Sequence, residues 1–223
     1  GVERQYCGQP GKTDNCQVAV SLSLATEAGS LPIDYRLYLP KQWAADRARR
    51  RRAGVPEDVA FVPKGSIALA QIEAALAAGM PQGTVLADAA YGDEADFRDQ
   101  LSRWGLPYAV GVKPATALWW GSHQPAAPPR ASGRGRPRTR LLRDAGHQPI
   151  AVRELAQALA PRSFRRITWR EGVAEPLASR FARVRVRAAS RDQPRAEEWL
   201  LIEWPLGEPE PTHYWLATLP EDI

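Results

Sequence analysis

The sequence predicts an α/β protein, a mixed-direction sheet alternating with helices and followed by a smaller strand-rich module. Three observations predict it. Over the first forty residues polar and apolar side chains alternate, with the two-residue period of strands that bury one face. Between about residues 66 and 113, apolar residues at helical spacing alternate with short apolar runs that lack any alternation, as expected of strands covered on both faces. After residue 114 a stretch rich in Pro, Gly and Arg breaks the pattern, and strand-like segments separated by turns follow it.

In chain order, QVAVSLSL at 17–24 reads as a half-buried strand, paired with the upstream GVERQYCG through the turn formers of QPGKTDN. After a second turn at 27–30, IDYRLYLP places Ile33, Tyr35, Leu37 and Leu39 on one face of a third strand. KQWAADRARRRRAGVP carries Lys41, Arg47, Arg49, Arg50, Arg51 and Arg52 on a short helix ended by Gly54 and Pro56. Ser66 is a cap for the next helix, with Leu69, Ile72 and Leu76 on one side and Gly79 and Pro81 as its stop. TVLADAAYGD is then a strand buried on both faces that ends at Asp88. A helix starts near Asp93, where Asp93 and Asp96 suit the positive end of the helix dipole, with Phe97, Leu101 and Trp104 as its buried stripe and Gly105 as its end. YAVGVK, from Tyr108, is a further central strand. Three hairpin-type strands, a helix, a buried strand, a helix and a buried strand follow the order of a ribonuclease H-like fold.

PAAPPRASGRGRPRTR is of low complexity and offers too little apolar surface to order itself, which predicts a linker or loop. Beyond it VRELAQAL is a short helix, and RITWREG, SRFARVRVRAA, EEWLLIEWP and HYWLATLP are strands.

The bulk properties are those of a folding globular chain, since 44% of the 223 residues are hydrophobic and eight are Trp. Thirty Lys and Arg against 25 Asp and Glu leave a net charge of +5, mostly Arg. Guanidinium suits phosphate because it grips two oxygens at once, but a GC-rich coding sequence produces the same bias, so charge alone decides little. Cys7 and Cys16 match neither a zinc nor a disulfide spacing and read as ordinary thiols. No apolar run approaches the ~18 residues of a membrane span, and no secretory signal is present, which predicts a cytoplasmic protein without membrane contact. The start at Gly1 and the stop at Ile223 suggest a segment of something longer.

Asp88 is the strongest site candidate. A carboxylate at the carboxyl end of an apolar strand sits where ligands gather in open α/β sheets, and leaving it ionised there is costly unless a cation or donor meets it. The alternative is an Asp that caps the following turn. Arg47, Arg49, Arg50, Arg51 and Arg52, and the later Arg130, Arg134, Arg136, Arg138 and Arg140, are candidates for contact with backbone phosphates, or else solvated faces. Trp119 and Trp120 either stack on exposed bases or pack in a core. His123, His147 and His213 lack metal-ligand spacing.

GVERQYCGQPGKTDNCQVAVSLSLA, LPIDYRLYLPKQWAADRARRRRAGVP, VLADAAYGD, EEWLLIEWP and THYWLATLP, in that order, resemble bacterial insertion-sequence transposases of the DDE type. The resemblance covers nearly the whole chain except about residues 121–140. It implies a ribonuclease H-like core interrupted by a strand-rich insertion. Residues 1–113 would be part of the catalytic core, 114–147 a flexible Pro/Arg-rich stretch, and 148–223 the β-rich insertion module leading back to the core. It also implies that three carboxylates, Asp, Asp and Glu, hold two Mg²⁺ or Mn²⁺ ions roughly 3.5–4 Å apart, which activate the attacking hydroxyl and stabilise the leaving oxygen.

By the same resemblance Asp88 is the second carboxylate, both catalytic and metal-binding, and Tyr91, Gly92 and Asp93 complete its block. The first Asp is expected ahead of Gly1 and the Glu beyond Ile223. Glu3, Asp14, Asp34 and Glu203 do not follow the family pattern. The implied activity is metal-dependent DNA strand cleavage and transfer in the complete protein, with element ends and target DNA as partners and a homodimer as a possible assembly. The competing expectations are a truncated, inactive DNA-binding or regulatory remnant, and a structural domain that binds no nucleic acid. The chain by itself is expected to bind divalent metal weakly and to cut no DNA.

Overall fold

The computed structural model describes residues 2–7, 11–128, 140–170 and 177–220, with the side chains of 169 and 170 outside the description. The chain divides into two compact units, Gly1–Gln82 and Gly83–Ile223.

Among the described residues, the first unit holds two separate hairpins and three helices. β1 (Glu3–Cys7) pairs antiparallel with β2 (Lys12–Cys16), and β3 (Ala19–Thr26) with β4 (Gly29–Leu37). This corrects the expected pairing of GVERQYCG with residues 17–24, because KTDNC, expected to turn, is itself the partner strand. A polar strand has no apolar alternation to announce it. Its register is held by backbone bonds, a bond from Gln5 Nε2 to the Cys16 carbonyl at 2.9 Å and an exposed Lys12–Asp14 ion pair at 3.5 Å.

The third strand also differs from expectation, since Tyr35 and Leu37 are 67% and 65% exposed while Leu39, past the strand, is buried. A register irregularity between Leu22 and Ser23 shifts the pairing partway along this hairpin. The basic helix is two helices, α1 (Lys41–Ala45) and α2 (Arg47–Arg52). Asp46 breaks them apart by capping α2, its carboxylate accepting from the Arg49 amide at 2.9 Å. α3 (Lys64–Ala77) starts after Pro63 rather than at Ser66. It buries Ile67, Gln71 and Ile72 while Leu69 and Leu76 are half-buried, and Gln71 donates to the Val20 carbonyl at 3.2 Å.

Among the described residues, the second unit is one mixed eight-stranded sheet with helices. Its strands are β5 (Val85–Ala87), β6 (Tyr108–Gly111), β7 (Ala117–Trp119), β8 (Ile150–Ala151), β9 (Arg165–Arg170), β10 (Leu177–Ala188), β11 (Glu198–Pro205) and β12 (His213–Ala217). The order is β5-β6-β12-β11-β10-β7-β8, with β9 also on β10. β5 and β6 are parallel and every other pairing in the sheet is antiparallel. The helices are α4 (Ala89–Gly92), α5 (Ala95–Arg103) and α6 (Val152–Ala158). This mixed α/β architecture is consistent with the ribonuclease H-like fold expected.

β6, α5 and α6 form where the sequence predicts, and so do β9 to β12. Phe97 and Leu101 of α5 are buried, and Gly105 ends the helix in the left-handed conformation at φ +69°. β5 is the correction: it is a three-residue edge strand with Leu86 73% exposed, not a strand covered on both faces. An apolar run that short carries no period, so burial cannot be read from it.

The late strands continue the same sheet as β6, through β12, whose Leu216 lies opposite Val110. One face of that sheet carries the core, where Leu118, Val152, Leu155, Leu200, Ile202 and Leu216 are fully buried. Each such side chain stabilises the fold by about 1.5–3 kcal/mol relative to exposure. Trp119 packs rather than stacking on a ligand: it is fully buried, and its indole donates to the His147 carbonyl at 3.1 Å. The flanks of the low-complexity stretch are also held, since the Leu141 amide donates to the Arg191 carbonyl at 2.8 Å and Leu142 to Ala126 at 2.9 Å. Cys7 and Cys16 are free thiols. Among the described residues no helix is long and apolar enough to cross a membrane.

Candidate active site

Asp88 directly follows β5, in extended backbone conformation at φ −78°, ψ 178°, and is exposed. It is the N-cap of α4: its Oδ1 accepts from the Ala90 amide at 2.8 Å. The turn-capping role expected as the alternative is therefore real, but it engages only one carboxylate oxygen.

Two glycines bring β6 against the Asp88 turn. A Cβ on Gly111 would stand 2.8 Å from the Ala89 nitrogen and 3.2 Å from the Asp88 carbonyl carbon. A Cβ on Gly92 would stand 2.1 Å from the Gly111 carbonyl oxygen. Both neighbours are backbone, so only glycine permits this approach. From the other side Arg98, only 3% exposed, donates to the Gly92 carbonyl.

The rest of the block is structural. The Tyr91 ring packs against Phe97 at 5.9 Å, and burial, then the charges of Asp88 and Glu94, push its hydroxyl above the ordinary range. Asp93 pairs with Lys113 at 3.2 Å and accepts from the Thr116 hydroxyl. Burial opposes its ionisation, but these hydrogen bonds and the Lys113 charge outweigh burial and hold the carboxyl below the usual range.

A divalent ion with hard oxygen donors needs several ligands at once. Among the described residues no group of three or more His, Cys, Asp or Glu is placed to hold one. Asp14 is paired with Lys12 and Glu203 with His213. Asp88 thus belongs to no such group among the described residues, and offers one carboxylate, with one oxygen already engaged by the Ala90 amide, toward an ion.

The candidate phosphate contacts separate into two kinds. Arg50 is a clamp, donating to the carbonyls of Ala44, Pro56, Glu57 and Val59 at 3.3, 2.6, 3.1 and 2.7 Å. Arg49 lies over the Trp43 ring at 4.0 Å and donates to the Val2 carbonyl at 3.2 Å. Arg47, Arg51 and Arg52 are exposed. Arg130, Arg134, Arg136 and Arg138 lie outside the described residues, and Arg140 is exposed.

One charged cluster escaped the sequence reading. The Tyr108 hydroxyl donates to Glu198 Oε2 at 2.8 Å, with both residues buried beside buried Arg98. Burial raises the Glu198 carboxyl above its ordinary range, against the opposing pull of Arg98 and the Tyr108 bond. Burial and the adjoining Glu198 likewise push the Tyr108 hydroxyl upward. The signal was present in EEWLLIEWP, where Glu198 shares the inward parity of Leu200 and Ile202.

A family model described as DDE superfamily endonuclease matches residues 1–176. No curated protein and no solved structure matches the chain.

Proposed function

Because the chain belongs to the DDE superfamily endonucleases, we propose that Asp88 is the second metal-binding carboxylate of an insertion-sequence transposase. The family acts on DNA through divalent metal ions. In this reading the complete protein cleaves and transfers DNA strands at element ends and target, using Mg²⁺ or Mn²⁺, as a homodimer in the cytoplasm. Residues 1–113 belong to its core, 114–147 to a connecting stretch and 148–223 to a β-rich insertion. Arg47, Arg51 and Arg52, with Arg134, Arg136 and Arg138, contact backbone phosphate.

The observation that carries the reading is the placement of Asp88: an exposed carboxylate at a strand end, its backbone pinned by Gly92, Gly111 and Arg98. The metal ions supply a polarised phosphodiester and an activated hydroxyl when bound. What this chain supplies is a fixed ligand position. The Ala90 amide holds Oδ1, which sets the orientation of the carboxylate before any ion arrives.

A second reading, an inactive DNA-binding or regulatory remnant, is favoured by one fact: Asp88 belongs to no group of three or more potential metal ligands among the described residues. Strand cleavage of an element-end duplex in Mg²⁺ separates the two. A longer protein that includes the flanking coding sequence should cut, and its Asp88→Asn form should not. Cleavage that survives Asp88→Asn sinks the first reading, and cleavage by no longer form supports the second.

A further inference from the structure

Two segments without regular secondary structure, 140–143 and 190–191, are held side by side in the second unit. The Leu141 amide donates to the Arg191 carbonyl at 2.8 Å, and the Arg143 guanidinium donates to the Ser190 carbonyl at 2.9 Å. Arg143 also lies over the ring of fully buried Trp119, 4.9 Å from its centroid. The turn that follows is fastened to the same ring, since the indole donates to the His147 carbonyl at 3.1 Å. One carbonyl and one aromatic face thereby fix Arg143 against the core, and the backbone bond at Leu141 brings Arg140 and Arg191 to its side.

Arg140, Leu141, Arg143, Gln148 and Arg191 line a cavity of about 410 Å³. All of them but Leu141 are exposed, so the cavity is open to solvent. Elsewhere in the unit arginines meet acids, Arg153 with Glu210, Arg187 with Glu197 and Arg195 with Asp99. Among the described residues none of the three cavity arginines has an acidic partner. The acids nearest in sequence are occupied or line another cavity. Asp144 pairs with His147 Nδ1 at 2.5 Å and accepts from the Gly146 amide at 3.2 Å, and Asp192 lines a separate cavity with Asp99 and Arg195.

Three guanidiniums that converge on one cavity repel one another, and an anion relieves that repulsion. Phosphate suits them in particular, because a planar guanidinium can meet two of its oxygens at once. The sequence leading into the cavity continues the charge, since residues 130–143 include six Arg and no Asp or Glu. We infer that this cavity is a phosphate site and takes a backbone phosphate of DNA, with Arg143 as the fixed contact and Arg140 and Arg191 beside it. A small free phosphate is matched by an enclosed pocket, whereas an open cavity at the end of a long cationic tract suits a polymer of phosphates. Contacts of this kind position a duplex without reading its bases. The inference rests on the proposal that the protein acts on DNA, and it adds Arg140, Arg143 and Arg191 to the arginines of that reading.

The test is fluorescence anisotropy of the full chain with a labelled duplex over a range of salt. Arg140→Gln with Arg191→Gln should weaken duplex binding about tenfold and make the slope of log affinity against log salt shallower by at least ~0.9, the value of one phosphate contact. Its thermal transition should hold or rise, because the substitutions remove like charges at exposed positions. Arg143→Lys keeps the charge but loses the planar fork and its place over Trp119, and should weaken binding severalfold. A charge-matched control at exposed positions outside the cavity, Arg162→Gln with Arg166→Gln, should bind as the parent does. The inference is overturned by unchanged duplex affinity in either cavity variant, by a lowered thermal transition in the double variant, by an equal loss in the control, or by no duplex binding in the parent. Inorganic pyrophosphate distinguishes the source of the phosphate. It should displace the labelled duplex only at a phosphate concentration well above that of unlabelled duplex, and displacement at or below that concentration would overturn the assignment to DNA. Failure of the inference beside intact Asp88-dependent cleavage would leave the proposed function standing. Failed cleavage beside the expected binding losses would overturn only the assignment of Asp88.

Discussion

The Cα of Asp88 lies 3.4 Å from the point that a Cβ on Gly111 would occupy. The candidate catalytic carboxylate is thereby positioned by the absence of a side chain on the neighbouring strand. Gly92 repeats the arrangement from within α4, and Arg98 secures its carbonyl.

Gly111→Ala should destabilise the second unit by about 1–3 kcal/mol, because the added methyl meets backbone that cannot rotate away. Gly92→Ala should cost at least as much, its methyl falling 2.1 Å from the Gly111 oxygen. Gly83→Ala, which meets nothing within 4 Å, should stay within about 0.5 kcal/mol of the parent. Urea unfolding of the three variants measures the order, and equal midpoints would contradict the close approach.

Asp88 has two roles that substitution can separate. Asp88→Ala removes the N-cap and should cost ~1 kcal/mol, whereas Asp88→Asn keeps an acceptor for the Ala90 amide and should leave stability nearly unchanged. Only the charge is lost in the Asn form. Cleavage by the longer protein should therefore disappear in both, while thermal melting distinguishes them.

The pH dependence follows from Glu198, whose carboxyl is raised chiefly by burial. Because the folded state binds this proton more tightly than the unfolded chain, its contribution is fully present below the ordinary carboxyl range and is lost as pH rises to the raised folded value. Glu198→Gln should flatten that part of the stability profile. Asp93 works in the opposite sense: its lowered carboxyl contributes stability above the ordinary range that is lost as pH falls through the folded value. Denaturant midpoints from acidic to neutral pH check both slopes, and an unaltered slope in Glu198→Gln would refute the first.

Arg50 and Arg51 are neighbours with different work. Arg50→Ala should destabilise the first unit by about 1–3 kcal/mol, because four carbonyls lose a charged donor. Arg51→Ala, at an exposed site, should remain within about 0.5 kcal/mol of the parent. If DNA affinity falls only with Arg51, the clamp and the contact surface are separate; thermal scans and anisotropy on the same two variants read both quantities.

The sequence alone determined the elements whose signals are local. The helical spacing of Phe97 and Leu101, the alternation through β10 and β11, and the glycine after α5 all act within a few residues, so they survive without knowledge of neighbours. Asp88 was placed at its strand end on the same grounds. Tertiary structure alone decided that KTDNC pairs with β1, that β5 is an edge, and that β12 joins β6 across more than a hundred residues. It also decided that Arg50 and Arg98 are internal donors while Arg47, Arg51 and Arg52 face solvent. Burial and pairing belong to whichever segments the folded chain brings side by side, and a residue's own neighbours in sequence carry no record of that choice.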